Sequence, residues 1–285
     1  MNEEDVIANK YQVIKQLGCG GFGSVYKGNC LHKGIPVAMK FESQTTPYKM
    51  LRREASLLKY LYDHGCRSIP MVYWYGPYKQ TVCLVMGYYE CSMSDYVKVK
   101  DLTINKINNI LVQYVRIIQS VHTQYVIHRD IKPQNCMIKS GELFLIDFGL
   151  ATFYVNEDKT HINISEPAET IVGSPKYVSF YVHDSCIPTR RDDLISLGYI
   201  YIYLYSKELP WDTVSSYGIE DPYPNELYVM NAKNQQRKTL KSWGSIQPIC
   251  SIINKQIEQY MGYCYQLEGY EQPNYELCVS FITET

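Results

Sequence analysis

Apolar and polar residues alternate in short runs through the first third of the chain. Tyr11 to Leu17, Ser24 to Cys30 and Val37 to Phe41 are rich in β-branched and aromatic residues and bounded by glycine or proline, which predicts three strands. Two more strands are predicted around Met71 to Tyr75 and Thr81 to Met86. From about Tyr48 to Tyr62 the period changes, and Leu51, Ala55, Leu58 and Leu61 fall on one face of a helix. Beyond Gly87 the pattern turns helical, over Ile104 to Tyr125, Arg191 to Ser206 and several segments past Glu226. This order predicts an α+β chain. A β-rich lobe covers about 1–86, a hinge 87–91, and a mainly helical lobe 92–285, with a ligand expected in the cleft between the lobes.

Composition narrows the class. The 285 residues suffice for a core without covalent staples, and a formal net charge of −1 selects neither nucleic acid nor an anionic membrane. The ten cysteines, scattered from Cys19 to Cys278 without a Cys-x-x-Cys pair, read as reduced thiols in the interior. The opening MNEEDVIANK is acidic and polar, unlike a secretory signal, and the longest apolar run, Leu194 to Tyr205, is too short to span a bilayer. The expectation is a soluble, monomeric, cytoplasmic protein, with entry to the nucleus left open. Asn163-Ile164-Ser165 is then a chance sequon, and the loose basic cluster from Lys233 to Lys241 is a solvated face. The 28 tyrosines reflect either a biased genome or an unusual surface.

The candidate chemistry begins with Gly18-Cys19-Gly20-Gly21-Phe22-Gly23, a G-x-G-x-x-G pattern. In a dinucleotide-binding fold this loop opens into a helix, whereas Ser24-Val25-Tyr26-Lys27 is strand-like, so the pattern reads as a glycine-tipped hairpin. Alone, it is as often an ordinary turn. Glycines there would let backbone N–H groups approach phosphate oxygens. Lys40 closes the apolar run Val37-Ala38-Met39, where it could bind phosphates, and Glu54 on the amphipathic helix could pair with it.

A second constellation follows. His128-Arg129-Asp130-Ile131-Lys132-Pro133-Gln134-Asn135 precedes Leu145-Ile146-Asp147-Phe148-Gly149. Asp130 could accept a proton from an acceptor hydroxyl or orient that hydroxyl, and Lys132 could offset charge on a moving phosphoryl group. Asn135 and Asp147 are hard oxygen ligands suited to Mg²⁺. His128 and Phe148 read as packing residues, the latter beneath the helix that carries Glu54. Taken in this order, these elements resemble the eukaryotic protein kinase superfamily over nearly the whole chain. The resemblance implies the bilobal protein kinase fold, ATP and Mg²⁺, and protein substrates. Lys132 two residues after Asp130, with Ser174 following Gly173, is similar to the serine/threonine branch.

The stretch Arg190-Arg191-Asp192-Asp193-Leu194-Ile195-Ser196-Leu197-Gly198-Tyr199, then Leu209-Pro210-Trp211, resembles casein kinase 1. So do Tyr263-Cys264, Gln272-Pro273-Asn274-Tyr275 and the missing Ala-Pro-Glu motif. The resemblance implies that Asp193 anchors the catalytic loop. It also implies that Met86 is the gatekeeper, that the Tyr89 backbone N–H meets adenine, and that Val25 and Ala38 enclose the base. Arg190, Arg191 and Lys176 would recognise anionic groups of acidic or phospho-primed substrates, although the two arginines also read as a solvated charge pair. The chain departs from that family at Thr152 and Phe153, where two lysines are usual, and at Ser179-Phe180-Tyr181. It ends soon after the last expected helix, so the expectation is constitutive activity without modification at Thr160, Ser165 or Thr170. The rival readings are a pseudokinase scaffold and a small-molecule phosphotransferase.

Overall fold

A computed structural model describes residues 5–20, 23–46, 49–168, 170–215 and 226–284. In chain order the elements are β1 (Val6–Ile7), β2 (Tyr11–Gly20), β3 (Gly23–Cys30), β4 (Ile35–Ser43), α1 (Met50–Asp63), β5 (Val72–Tyr78), β6 (Thr81–Gly87) and β7 (Cys91–Ser92). They continue with α2 (Met93–Val99), α3 (Ile104–Thr123), β8 (Val126–Ile127), β9 (Cys136–Lys139), β10 (Glu142–Leu145), β11 (Thr152–Phe153), α4 (Phe180–His183) and α5 (Arg190–Ser206). Four helices complete the order: α6 (Glu226–Leu240), α7 (Trp243–Ile253), α8 (Lys255–Gln266) and α9 (Tyr275–Thr283).

The chain divides into two compact units. One runs to Ser92 and takes in Met137–Ala151; the other holds Met93–Cys136 and Thr152 onward. The first is built on an antiparallel sheet of order β1-β2-β3-β4-β6-β5. Strand alternation turns Val37, Met39 and Phe41 into a core with Ile7, Tyr11, Val13, Cys83 and Val85. By the same alternation Ala38 and Lys40 face the other way, which is how an apolar strand comes to present a lysine. Helix α1 packs Leu51, Ala55, Leu58 and Leu61 inward, as its period predicts. The buried Glu42 carboxylate accepts from Met50 N (3.1 Å) and Leu51 N (3.4 Å), placing negative charge at the helix N-terminus.

The second unit is helical around α5, which is buried on nearly every side. Thr189 and Asp192 form a capping box at its start. Helix α3, capped by Thr103, and helix α8, capped by Asn254, pack against it. Ten free cysteines are present, and seven of them are buried. Among the described residues no helix is long and apolar enough to cross a membrane.

Candidate active site

The first unit carries the glycine hairpin, Lys40, Glu54 and Asp147. β2 and β3 form a hairpin that pairs Gly18 with Val25, Cys19 with Ser24 and Gly20 with Gly23. The tip residues Gly21 and Phe22 lie outside the described residues. Strands flank the glycines on both sides, which separates this loop from a dinucleotide-binding turn. Gly23 has φ +120°, and a Cβ there would lie 1.9 Å from Phe41 O, so no other residue fits without moving the strand.

Lys40 pairs with Val25 and Leu84 across the sheet. Its Nζ lies 2.6 Å from Glu54 Oε1 and 2.7 Å from Asp147 Oδ1, so the ion pair expected from the sequence is present and a second carboxylate joins it. Burial alone would lower the lysine pKa. The Glu54 and Asp147 carboxylates more than reverse this, and Lys40 stays protonated well above neutrality. Burial pushes the Glu54 carboxyl up, while the Lys40 ammonium and a hydrogen bond from the Phe148 backbone draw it down. Phe148, 1% exposed, is the packing residue that was expected. Asp147 sits at φ 66°, ψ 70°, a left-handed conformation that costs a non-glycine residue energy and aims its carboxylate at Lys40.

Ala38 stands opposite Met86 across β4 and β6, and both are buried. Tyr89 is buried with its ring 4.6 Å from Phe144 and the Lys139 ammonium 5.9 Å from its centroid. Val25, Ala38, Met86 and Tyr89 therefore all belong to the first unit.

The second unit carries Asp130 and the residues around it. The loop at residues 128–135 is held from beneath by Asp193 on α5, which accepts from His128 N (2.7 Å) and Arg129 N (2.9 Å). Asp193 also meets His122 Nε2 at 2.9 Å, and His122 Nδ1 meets the Tyr275 hydroxyl at 2.7 Å. Burial alone would raise the Asp193 pKa; its bonds to His122 and to the loop amide reverse this and hold it low. Burial in turn depresses His122.

Above that support, Asp130 accepts from three directions. Lys132 Nζ lies 2.7 Å from Oδ2, Ser174 N and Oγ donate to Oδ1 at 2.9 and 2.7 Å, and Asn135 Nδ2 reaches Oδ2 at 3.2 Å. Lys132 Nζ also donates to Ser174 Oγ at 3.0 Å, closing a three-residue ring. Asn135 Nδ2 also donates to Asp130 O (2.9 Å), so the donors of the amide are used and its oxygen is the acceptor that remains. The hard oxygens of Asn135 and Asp147 are the donor type that Mg²⁺ requires. His128, fully buried, accepts from Asp130 N through Nδ1 (3.2 Å).

The arginine pair differs from its expected surface role. Arg190 is buried, donating to Tyr154 Oη (3.3 Å) and Tyr270 O (2.8 Å), with Tyr154 4.3 Å from the guanidinium. Arg191 is buried against Tyr181 (3.4 Å) and donates to Leu267 O (3.1 Å). Both donate to carbonyls of the α8–α9 connection from a buried position, so they are not a solvated charge pair. Lys176 is partly exposed and lies 2.7 Å from Asp212 Oδ1. Lys241 is no solvated residue: it is fully buried. Sequence reasoning passed over His122, and it singled out Tyr275 only within a C-terminal motif, not as a partner of His122 behind Asp193. The only signal of that pairing was a histidine and a tyrosine far apart in the chain.

The β-rich unit presents a lysine–carboxylate cluster of Lys40, Glu54 and Asp147, and the helical unit presents Asp130 held by Lys132, Ser174 and Asn135. The family model described as "Protein kinase domain" matches residues 11–273. The chain belongs to the protein kinase family, and protein kinase activity, ATP and Mg²⁺ are the general properties of that family.

Proposed function

We propose that this protein is a catalytically competent serine/threonine protein kinase of casein kinase 1 type, transferring the ATP γ-phosphoryl group to Ser or Thr of protein substrates. The observation that carries the reading is the ring of Asp130, Lys132 and Ser174, with Lys132 Nζ 2.7 Å from Asp130 and 3.0 Å from Ser174. In this reading Asp130 orients the acceptor hydroxyl and takes its proton, and Lys132 offsets charge on the moving group. Lys40, kept in place by Glu54, holds the α- and β-phosphates under the glycine hairpin. Val25, Ala38, Met86 and the Tyr89 backbone hold the base. Asn135 and Asp147 are assigned as metal ligands; Mg²⁺, when bound, neutralises phosphate charge.

Three residues often altered in inactive relatives, Lys40, Asp130 and Asp147, are all present and engaged in hydrogen bonds, which supports catalysis over a scaffold role. With Arg190 and Arg191 buried, a preference for acidic or phospho-primed sites rests on Lys176, whose ammonium Asp212 already partly neutralises. We further propose that the protein acts as a cytoplasmic monomer. The test is transfer from Mg·ATP to acidic, phospho-primed and neutral Ser/Thr peptides, with a tyrosine peptide alongside. Transfer to Ser/Thr peptides alone is expected. Transfer to the tyrosine peptide contradicts the serine/threonine assignment, and ATP binding without transfer contradicts catalysis.

A further inference from the structure

Side chains capture four successive carbonyls of the segment after Ser174. Lys241 Nζ donates to Pro175 O (2.9 Å) and Val178 O (2.6 Å), Trp211 Nε1 to Lys176 O (2.7 Å), and Ser196 Oγ to Tyr177 O (2.8 Å). The amides of Tyr177 and Val178 both return to Ser174 O, at 2.8 and 3.0 Å. A backbone run with its donors and acceptors committed in this way has one shape.

Lys241 is the centre of this arrangement. It lies in the turn between α6 and α7 and is 0% exposed, with the Tyr199 and Trp211 ring centroids 5.1 and 4.8 Å from Nζ. Its third contact is His183 Nε2 at 3.2 Å. Among the described residues no carboxylate forms an ion pair with it. Burying an amine without a counter-charge is costly, and burial, with the Arg237 charge nearby, lowers the Lys241 pKa well below its ordinary value; two carbonyls and two ring faces are what the amine meets there. A methionine would fill the same space without that desolvation. What methionine could not do is fix the carbonyls at both ends of residues 175–178.

Those carbonyls determine where Ser174 stands, and Ser174 donates twice to Asp130. We propose that Lys241 is a positioning residue for the phosphoacceptor step: by clamping Pro175 O and Val178 O it sets Ser174, and through Ser174 the orientation of Asp130 and Lys132. The inference rests on the reading of Asp130 given above. It assigns to a side chain outside the motif residues a share in acceptor turnover, and no share in nucleotide binding.

The test is Lys241→Met in the full chain, with Trp211→Phe as a milder variant that keeps the lysine but removes the donor to Lys176 O and shrinks the ring beside Lys241 Nζ. Peptide turnover in Lys241→Met is expected to fall about ten- to a hundredfold, with the dissociation constant of a non-hydrolysable ATP analogue within about twofold of wild type. Amide exchange at Tyr177 and Val178 is expected to quicken about tenfold or more in Lys241→Met, and measurably in Trp211→Phe. Wild-type turnover and exchange in Lys241→Met overturn the proposal. Loss of analogue binding and of cooperative melting overturns it too, in favour of general support of the fold. Were the wild type to transfer nothing, the reading of Asp130 falls and this role with it. An active wild type beside an unaffected variant sinks only the role of Lys241.

Discussion

Lys40 holds its charge where water cannot stabilise it. The two carboxylates at 2.6 and 2.7 Å compensate for that burial, and each in turn depends on the ammonium. Removing the lysine leaves Glu54 and Asp147 as neighbouring anions with no cation between them. Lys40→Met is therefore expected to lower stability and to weaken nucleotide binding strongly. Adding Glu54→Leu should recover part of the stability and none of the binding, as thermal melts and analogue titration would show. Unaltered binding in Lys40→Met would remove this residue from the site. The Lys40–Glu54 ion pair was legible in the sequence, and so was the grouping of Asp130 with Lys132 and Asn135 in one short motif. Arg190 and Arg191 were not. Adjacent arginines at a helix start look solvated, and what buries them is the backbone at Leu267 and Tyr270, some distance away in the chain. Lys241 escaped for the same reason, since its partners lie at residues 175–183 and 199–211.

At the scale of elements, the site depends on short backbone pieces that longer ones hold in place. Gly173 has φ +105°, and a Cβ there would stand 2.3 Å from Arg129 O, so the segment bearing Ser174 passes the catalytic loop with room for glycine alone. Gly173→Ala must push the two apart. The expected result is a fall of about tenfold or more in peptide turnover with nucleotide affinity retained; unchanged kinetics would mean that this approach does not matter. The long elements were readable from period: the strands from Tyr11, Gly23 and Ile35, helix α1, and helices α3 and α5. The pieces of two to four residues, β1, β7, β8, β11 and α4, carry too little pattern to be read. Hairpin β9–β10 was missed as well, and it joins the first unit although it follows helices of the second. Pairing of Cys91 with Ile138 and of Ser92 with Met137 accounts for that placement, and such long-range pairing leaves no local mark.

Across the whole chain, the second unit holds a histidine whose burial gives the fold an acid sensitivity. Burial, reinforced by the nearby charges of Lys241 and Arg237, lowers the His183 pKa from its ordinary 6.5 to about 3. Between those values the unfolded chain binds a proton that the folded chain refuses. Stability therefore falls as pH drops below 6.5, and the loss is complete as pH passes through about 3. His122, also depressed by burial, acts in the same direction. His183→Gln is expected to flatten the decline by about 3 kcal/mol at pH 4 relative to wild type, measured by denaturant unfolding across pH. Identical slopes for the two proteins would show that His183 titrates normally in the fold.

The role proposed for Asp130 is at the acceptor end of phosphoryl transfer. The measurement that reaches it most directly compares wild type and Asp130→Asn for ATP-analogue affinity and for phosphoryl transfer to a Ser peptide with Mg²⁺. The account predicts equal affinity, with transfer reduced about a hundred- to ten-thousandfold in the variant. Equal transfer by the two proteins, or none by the wild type while the analogue still binds, would contradict it.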